Sequence, residues 1–111
     1  MRVSQPEVEV VLKQIKKARA EKRLFLVSRA KNKESLTRCG LLAEDAYDAI
    51  NDLEYCNYKK GPEDDRDRPA DKNCMWFFKK DVCGHLFYIK IKVQLDKDNI
   101  VKVVSFHLDF I

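Results

Sequence analysis

Residues 85–95 alternate between apolar and polar side chains, and this alternation limits the fold more than any other feature of the chain. Its apolar members are Phe87, Ile89, Ile91, Val93 and Leu95. A period of two is that of a β-strand with one buried face and one exposed face. Residues 100–108 form a second apolar segment, and Asp96-Lys97-Asp98-Asn99 between them is turn chemistry. The two segments therefore predict an antiparallel hairpin.

The length of this turn predicts which residues of the two strands face each other. Either a two-residue turn at Lys97-Asp98 or a four-residue loop pairs Ile89 with Phe106 on the apolar face, and Tyr88 with His107 on the opposite face. The same register gives the pairs Phe87 with Leu108, Ile91 with Val104, Lys90 with Ser105, and Lys92 with Val103. Directly opposed side chains have Cβ atoms within about 5.5 Å of each other. Tyr88 and His107 are therefore predicted to lie close enough to act on one substrate atom.

A third strand is predicted before this hairpin, beginning at Cys74 and ending before a four-residue loop at residues 81–84. On the apolar face this register pairs Phe78 with Phe87 and Trp76 with Ile89. On the other face it places an exposed Phe77 opposite Tyr88, with Lys79 diagonally nearby. The three strands predict an antiparallel meander with one apolar face, and with one basic face that carries Tyr88, His107, Lys79 and Lys90.

The N-terminal half is predicted to supply helices that cover the apolar face. Helical spacing of apolar residues predicts a helix from Ser4 to about Lys22, a second one capped by Asn32 and ended by Gly40, and a third over residues 43–53. Short strands are expected at residues 24–27 and 55–60, and a charged loop at residues 61–72. The predicted fold class is α+β, with N-terminal helices packed on one face of an antiparallel β-meander in a single domain, 1–111.

Composition limits the functional classes. The chain has 111 residues and no run near the roughly 20 apolar residues of a membrane span. No signal peptide is recognised, so we expect a cytoplasmic protein without a membrane partner. The four cysteines have irregular spacing and predict reduced thiols rather than a metal site. The net charge is +4, and basic residues cluster between residues 13 and 33, which indicates an anionic partner or simply a solvated helix face.

The residues of the basic face suggest chemistry on RNA. We find no Gly-rich phosphate loop, no zinc-protease motif and no clustered pair of carboxylates near the Tyr88 face, so a two-metal nuclease is not expected. Cleavage of RNA by its own 2′-OH needs proton carriers and cations near the phosphate. A histidine such as His107 suits proton transfer near neutral pH, and lysines suit the electrostatic part. An exposed Phe77 is a candidate platform for base stacking. The plainer interpretation is that these are ordinary solvent-facing residues.

Four short segments, taken in order, are similar to those of one known family. They are Tyr58-Lys59, Trp76, Phe87-Tyr88-Ile89-Lys90 and Val104-Ser105-Phe106-His107. Over residues 28–109 the chain resembles the MqsR family of bacterial toxin–antitoxin toxins, which are mRNA interferases with a RelE-like α+β fold. The resemblance implies metal-independent, sequence-selective cleavage of messenger RNA, growth arrest, and neutralisation by a cognate antitoxin protein.

The resemblance also assigns roles to individual residues. Lys59 and Tyr88 match functional positions of the family, whereas His107 stands where better-known members have lysine and Phe77 where they have glutamine. We therefore predict an endoribonuclease in which His107 is the main acid–base residue and Tyr88 and Lys59 orient and stabilise the phosphate. The predicted substrate-binding residues are Lys79, Lys90, Phe77 and Lys60. No metal and no small-molecule cofactor is expected. The alternatives are a non-catalytic RNA-binding or antitoxin-binding module on the same face, and a purely structural interaction domain.

Overall fold

The computed structural model describes residues 3–64, 74–94 and 99–109, and in these residues the protein has three α-helices and a five-stranded sheet. The helices are α1 (Gln5–Ala20), α2 (Ala30–Arg38) and α3 (Ala43–Asn51). The strands are β1 (Leu24–Leu26), β2 (Tyr58–Glu63), β3 (Cys74–Val82), β4 (His85–Gln94) and β5 (Ile100–Leu108). Their order across the sheet is β1-β5-β4-β3-β2. The predicted α+β class is confirmed.

The predicted meander is also confirmed, because β3, β4 and β5 are consecutive antiparallel neighbours. One sheet face and the apolar sides of α1 and α3 share a single core. Phe87 and Phe106 stack at its centre, with ring centroids 4.5 Å apart. The short strand β1, predicted at residues 24–27, lies at one edge of the sheet and runs parallel to β5, so the complete sheet is mixed.

The predicted register between β3 and β4 is wrong by two residues. Phe78 pairs with Ile89, Trp76 with Ile91, and Lys79 with Tyr88. The loop is a two-residue turn at Cys83 and Gly84, whose φ angles of 54° and 83° are those of the mirror-image turns that suit hairpins. A shift of two residues leaves every side chain on its predicted face, because side chains alternate with a period of two.

The predicted register between β4 and β5 is right at one end and wrong at the other. The pairs Phe87 with Leu108, Tyr88 with His107, Ile89 with Phe106, and Lys90 with Ser105 are confirmed. Beyond them Val104 is an extra residue in β5, so that Ile91 pairs with Val103 and Lys92 with Lys102. Such a β-bulge reverses the alternation of the strand. As a result Val103 is buried in the core, and Lys102 joins the face that carries Tyr88.

The sequence predicted that Asn32 caps α2, and this prediction is wrong. Arg29 is the residue before the helix, and Asn32 lies inside the helix with 1% of its surface exposed. Its side-chain amide donates to the carbonyls of Val27 and Val104, at 3.0 Å and 3.2 Å, and its oxygen accepts from the Phe106 amide at 2.9 Å. One turn further on, the Ser35 hydroxyl accepts from the Leu108 amide at 2.9 Å. Side chains of α2 thus take the place of a neighbouring strand along the part of β5 that β1 does not reach.

The segment before β3 differs in detail from the prediction. Tyr55–Asn57 is one turn of 3-10 helix, and the strand begins only at Tyr58 and continues to Glu63. Tyr58 points into the core, where its ring contacts those of Trp76 and Phe78. Most of the predicted loop at residues 61–72, and the predicted turn at Lys97-Asp98, lie outside the described residues.

Candidate functional site

Tyr88 and His107 form a stacked pair on adjacent strands. Their ring centroids are 5.3 Å apart and the ring planes differ by 26°. Both residues are half-buried. The antiparallel pairing of β4 and β5 sets this proximity, and the hydrogen bonds of α2 to Phe106 and Leu108 hold β5 on both sides of His107. The structure therefore brings together the two residues that the sequence placed at the centre of the site.

One nitrogen of His107 is already engaged. Nδ1 lies 2.9 Å from the carbonyl oxygen of Leu108. A carbonyl oxygen accepts hydrogen bonds and cannot donate them, so this contact favours the tautomer with hydrogen on Nδ1. In the neutral ring Nε2 is then the basic nitrogen. The contact thus specifies the His107 atom that can accept a proton.

The hydroxyl of Tyr88 is kept in its protonated form. Partial burial raises its pKa above the ordinary value, and the nearby carboxylates of Glu63 and Asp109 raise the pKa further. All three causes disfavour the phenolate. Near neutral pH the Tyr88 side chain is therefore a hydrogen-bond donor to an anion and not a general base.

Two of the predicted cationic residues have carboxylate partners. The Lys79 amine lies 3.2 Å from a carboxylate oxygen of Asp109, and the Lys60 amine lies 3.7 Å from one of Glu63. Both acids act on the pKa of Tyr88, one from β2 and one from beyond the end of β5. The expectation of no clustered pair of carboxylates stays a prediction. Glu63 was assigned to a loop and Asp109 lies just beyond the last strand, so neither was placed on this face. The described residues contain no group of three potential metal ligands from histidine, cysteine, aspartate and glutamate.

Phe77 is not the exposed platform that the sequence predicted, since it is only 7% exposed. It lies on the basic face, and its ring centroid is 6.2 Å from that of Tyr88. The amine of Lys60 lies 4.5 Å from the Phe77 ring centroid, and the amine of Lys90 lies 5.8 Å from it. Phe77 therefore supports the two lysines through its ring face and offers little open surface for a base.

The structure also separates the two neighbouring lysines of β2. Lys60 is paired with Phe77 across the strands and so lies on the basic face. The register is irregular between Tyr58 and Lys60, which leaves Lys59 exposed at the irregularity itself. The described contacts connect Lys60, rather than Lys59, to the other predicted site residues.

Arg29 also contacts the basic face, which its position in the sequence does not indicate. Its guanidinium donates to the Ser105 hydroxyl at 3.0 Å, and Ser105 is paired with Lys90 on the basic face. Arg29 belongs to the basic cluster of residues 13–33, but only the packing of α2 against β5 shows which of those cations reaches this face. It adds a positive charge beside Ser105, the cross-strand partner of Lys90.

Comparison with known proteins gives no assignment: no family model, no curated protein and no solved structure matches the chain. Among the helices of the described residues, none combines the length and the apolar character needed to cross a membrane.

Proposed function

We propose that the protein is a metal-independent endoribonuclease, an mRNA interferase that acts as the toxin of a type II toxin–antitoxin system in the cytoplasm. The observation that carries the proposal is the stacked Tyr88–His107 pair, in which Nε2 of His107 is the basic nitrogen and the Tyr88 hydroxyl is a donor. The order of the MqsR-like segments, and an α+β fold with its helices before the meander, support a RelE/MqsR-like assignment.

In the proposed reaction His107 is the general base. Nε2 takes the proton of a ribose 2′-OH, and the 2′ oxygen forms a bond to the adjacent phosphorus while the bond from phosphorus to the 5′ oxygen breaks. The leaving oxygen takes a proton from water. The products are one strand that ends in a 2′,3′-cyclic phosphate and one that begins with a 5′-OH.

The charge that develops on the phosphate is stabilised by the neighbouring donors. The Tyr88 hydroxyl donates a hydrogen bond to a non-bridging oxygen, and Lys90 supplies positive charge beside it. Lys79 and Lys60 contribute when the phosphate competes with Asp109 and Glu63 for their amines. Lys59 is exposed on β2, two strands from Tyr88, and its proposed role of orienting the phosphate rests on the family resemblance.

The catalytic part of the proposal is tested by incubating the protein with single-stranded RNA in EDTA and analysing the ends of the products. We expect 2′,3′-cyclic phosphate ends, with activity lower by about 100-fold or more in His107→Ala, as for removal of a general base. Tyr88→Phe is expected to lower the rate while preserving the fold. His85→Gln is the matched control, because His85 is an exposed histidine at the β3–β4 turn.

RNA binding without cleavage would refute the catalytic proposal and favour the non-catalytic RNA-binding module. Cleavage that survives His107→Ala would show that the active residues lie elsewhere. The biological part is tested separately by expression in bacteria. Growth arrest that depends on His107, and that a co-expressed antitoxin protein relieves, supports the toxin assignment.

A further inference from the structure

Phe25 is an exposed aromatic residue on the same face of the sheet as Tyr88 and His107. It is 48% exposed, while Leu24 and Leu26 on either side of it turn towards the core. Phe25 pairs with Lys102 of β5, and Lys102 pairs with Lys92 of β4. Paired residues of neighbouring strands project from the same face, so Phe25 lies on the basic face at its β1 edge.

The bulge in β5 is what aligns these residues. If β5 alternated regularly from His107 through Val104, with no bulge, Lys102 would point into the core. In a regular strand, residues five positions apart lie on opposite faces. Because of the bulge, Lys102 and His107 both lie on the basic face. Bulges are frequent beside functional sites because they redirect side chains in this way.

The accessible groups of this face define a path across it. From Tyr88 and His107 it passes Lys90 and Arg29, then Lys102, and reaches Phe25. Strand geometry makes the path about 13 Å long parallel to the strands and about 10 Å wide across them, or about 16 Å from Tyr88 to Phe25. Met75 and Phe77 on the β3 side of the same face are buried, as are Lys92 and Ser105 within it. The open surface is therefore formed by the side chains of Lys90, Arg29, Lys102 and Phe25.

The geometry points to a binding track for single-stranded RNA along β5 and β1, with phosphates on Lys90, Arg29 and Lys102 and a base stacked on Phe25. This inference rests on the proposed function and extends its substrate-binding surface. Cations that follow the backbone, together with exposed aromatic rings that stack on bases, are the means by which proteins hold single strands without reading their sequence. Of the two carboxylates that act on Tyr88, Glu63 is on β2, three strands from Lys102, and Asp109 follows β5 at the end remote from Lys102.

Binding is measured independently of cleavage with a fluorescein-labelled single-stranded DNA of about ten nucleotides, a length within the range of single-strand sites. DNA lacks the 2′-OH nucleophile, and stacking and phosphate contacts do not require it. We expect Phe25→Ala to weaken binding about fivefold to tenfold, the lower range for loss of one stacked base, and Phe25→Trp to retain it. Leu42→Ala is the control, because Leu42 is an exposed apolar residue just before α3.

Lys102→Gln tests the phosphate contact. We plot the logarithm of the binding constant against the logarithm of salt concentration. The slope for Lys102→Gln should be shallower than that of the wild type by about 0.7 for each phosphate of the single strand that the variant no longer neutralises. Lys13→Gln should leave this slope unchanged, because Lys13 is exposed on α1, which covers the other sheet face. Phe25→Ala should lower affinity without changing the slope. Equal effects of Lys102→Gln and Lys13→Gln would overturn the track.

Cleavage kinetics separate failure of the track from failure of the catalytic proposal. We expect Phe25→Ala to raise KM for a ten-nucleotide RNA about fivefold with kcat unchanged, and to have no effect on a dinucleotide that cannot reach Phe25. Cleavage of RNA by Phe25→Ala with an unchanged KM would refute the track but not the nuclease proposal. DNA binding that depends on Phe25, without any cleavage of RNA, would refute the nuclease proposal but not the track. A wild-type protein that binds neither the single-stranded DNA nor the RNA would refute the track.

Discussion

Replacing Asn32 with alanine should destabilise the protein by about 3 kcal/mol, although Asn32 is not itself one of the proposed site residues. Its side chain makes three hydrogen bonds to backbone atoms at 1% exposure. The Val104 carbonyl keeps a second donor in Arg29, at 3.3 Å. The Phe106 amide has no such substitute among the described residues. We therefore assign about 1 kcal/mol to the two donor bonds that the variant cannot make and about 2 kcal/mol to the stranded amide.

The assay is urea unfolding of the wild type, Asn32→Ala, Ser35→Ala and Lys33→Ala. Ser35 makes one such bond, to Leu108, so Ser35→Ala should cost about 1 to 2 kcal/mol. Lys33 is exposed on the same helix and should cost less than about 0.5 kcal/mol. Hydrogen exchange at the Phe106 amide should accelerate in Asn32→Ala more than at Phe87. A destabilisation below about 1 kcal/mol, or unchanged exchange at Phe106, would refute the idea that α2 completes the β5 edge.

Three further predictions follow from the packing and electrostatics of the same sheet. An added Cβ on Gly61 would lie 2.7 Å from the Met75 carbonyl oxygen at a φ of +121°, whereas one on Gly40 would meet nothing within 4 Å at a φ of +65°. Thermal unfolding should show a loss of stability of about 3 kcal/mol for Gly61→Ala and about 1 kcal/mol for Gly40→Ala, and equal losses would contradict the close approach of β2 to β3. Asp109→Asn removes one cause of the raised Tyr88 pKa, so a spectroscopic titration should show that pKa falling towards its ordinary value. The free energy of unfolding should change by less than about 1 kcal/mol, because the ion pair of Asp109 with Lys79 is partly exposed, and an unchanged Tyr88 titration would refute the effect of Asp109 on Tyr88. Because folding raises the pKa of Tyr88, the protonated Tyr88 hydroxyl should contribute stability that is fully present below about pH 10 and is lost as the pH rises through the raised pKa. Tyr88→Phe should remove that part of the alkaline decline in the free energy of unfolding, and an identical decline in both proteins would contradict this assignment.

The sheet faces of the meander could be predicted from the sequence because their pattern is local. The period of two in β4 is visible in the chain, and an error of two residues at the Cys83-Gly84 turn does not change any face. The bulge at Val104 is different. A run of apolar residues from Ile100 to Val104, broken only by Lys102, fits either alternation, so nothing local shows where the phase changes. The Asn32 bonds to β5 fix that phase, and they connect residues more than 70 positions apart.

Side-chain partners in the site were less predictable than faces. Tyr88 and His107 follow from register, whereas the burial of Phe77 and the pairing of Lys60 depend on β2, a short strand whose register shifts twice. Asp109 lies just outside β5, where alternation no longer indicates direction. A strand pattern thus locates the centre of the site, and tertiary contacts decide the charge around it.

The distribution of charge has a consequence for how RNA would be held. Near Tyr88 the amines of Lys79 and Lys60 are already paired with carboxylates, so a phosphate gains only the difference between its own attraction and that of Asp109 or Glu63. Along β5, the track described above offers Lys102 and the stacking surface of Phe25 at a distance from the chemistry. In the proposed nuclease, binding energy gained there would hold the scissile phosphate against Tyr88 and His107, where the interactions that raise the rate are those that strengthen in the transition state. Substitutions on the track should therefore act mainly on KM, and those at His107 mainly on kcat.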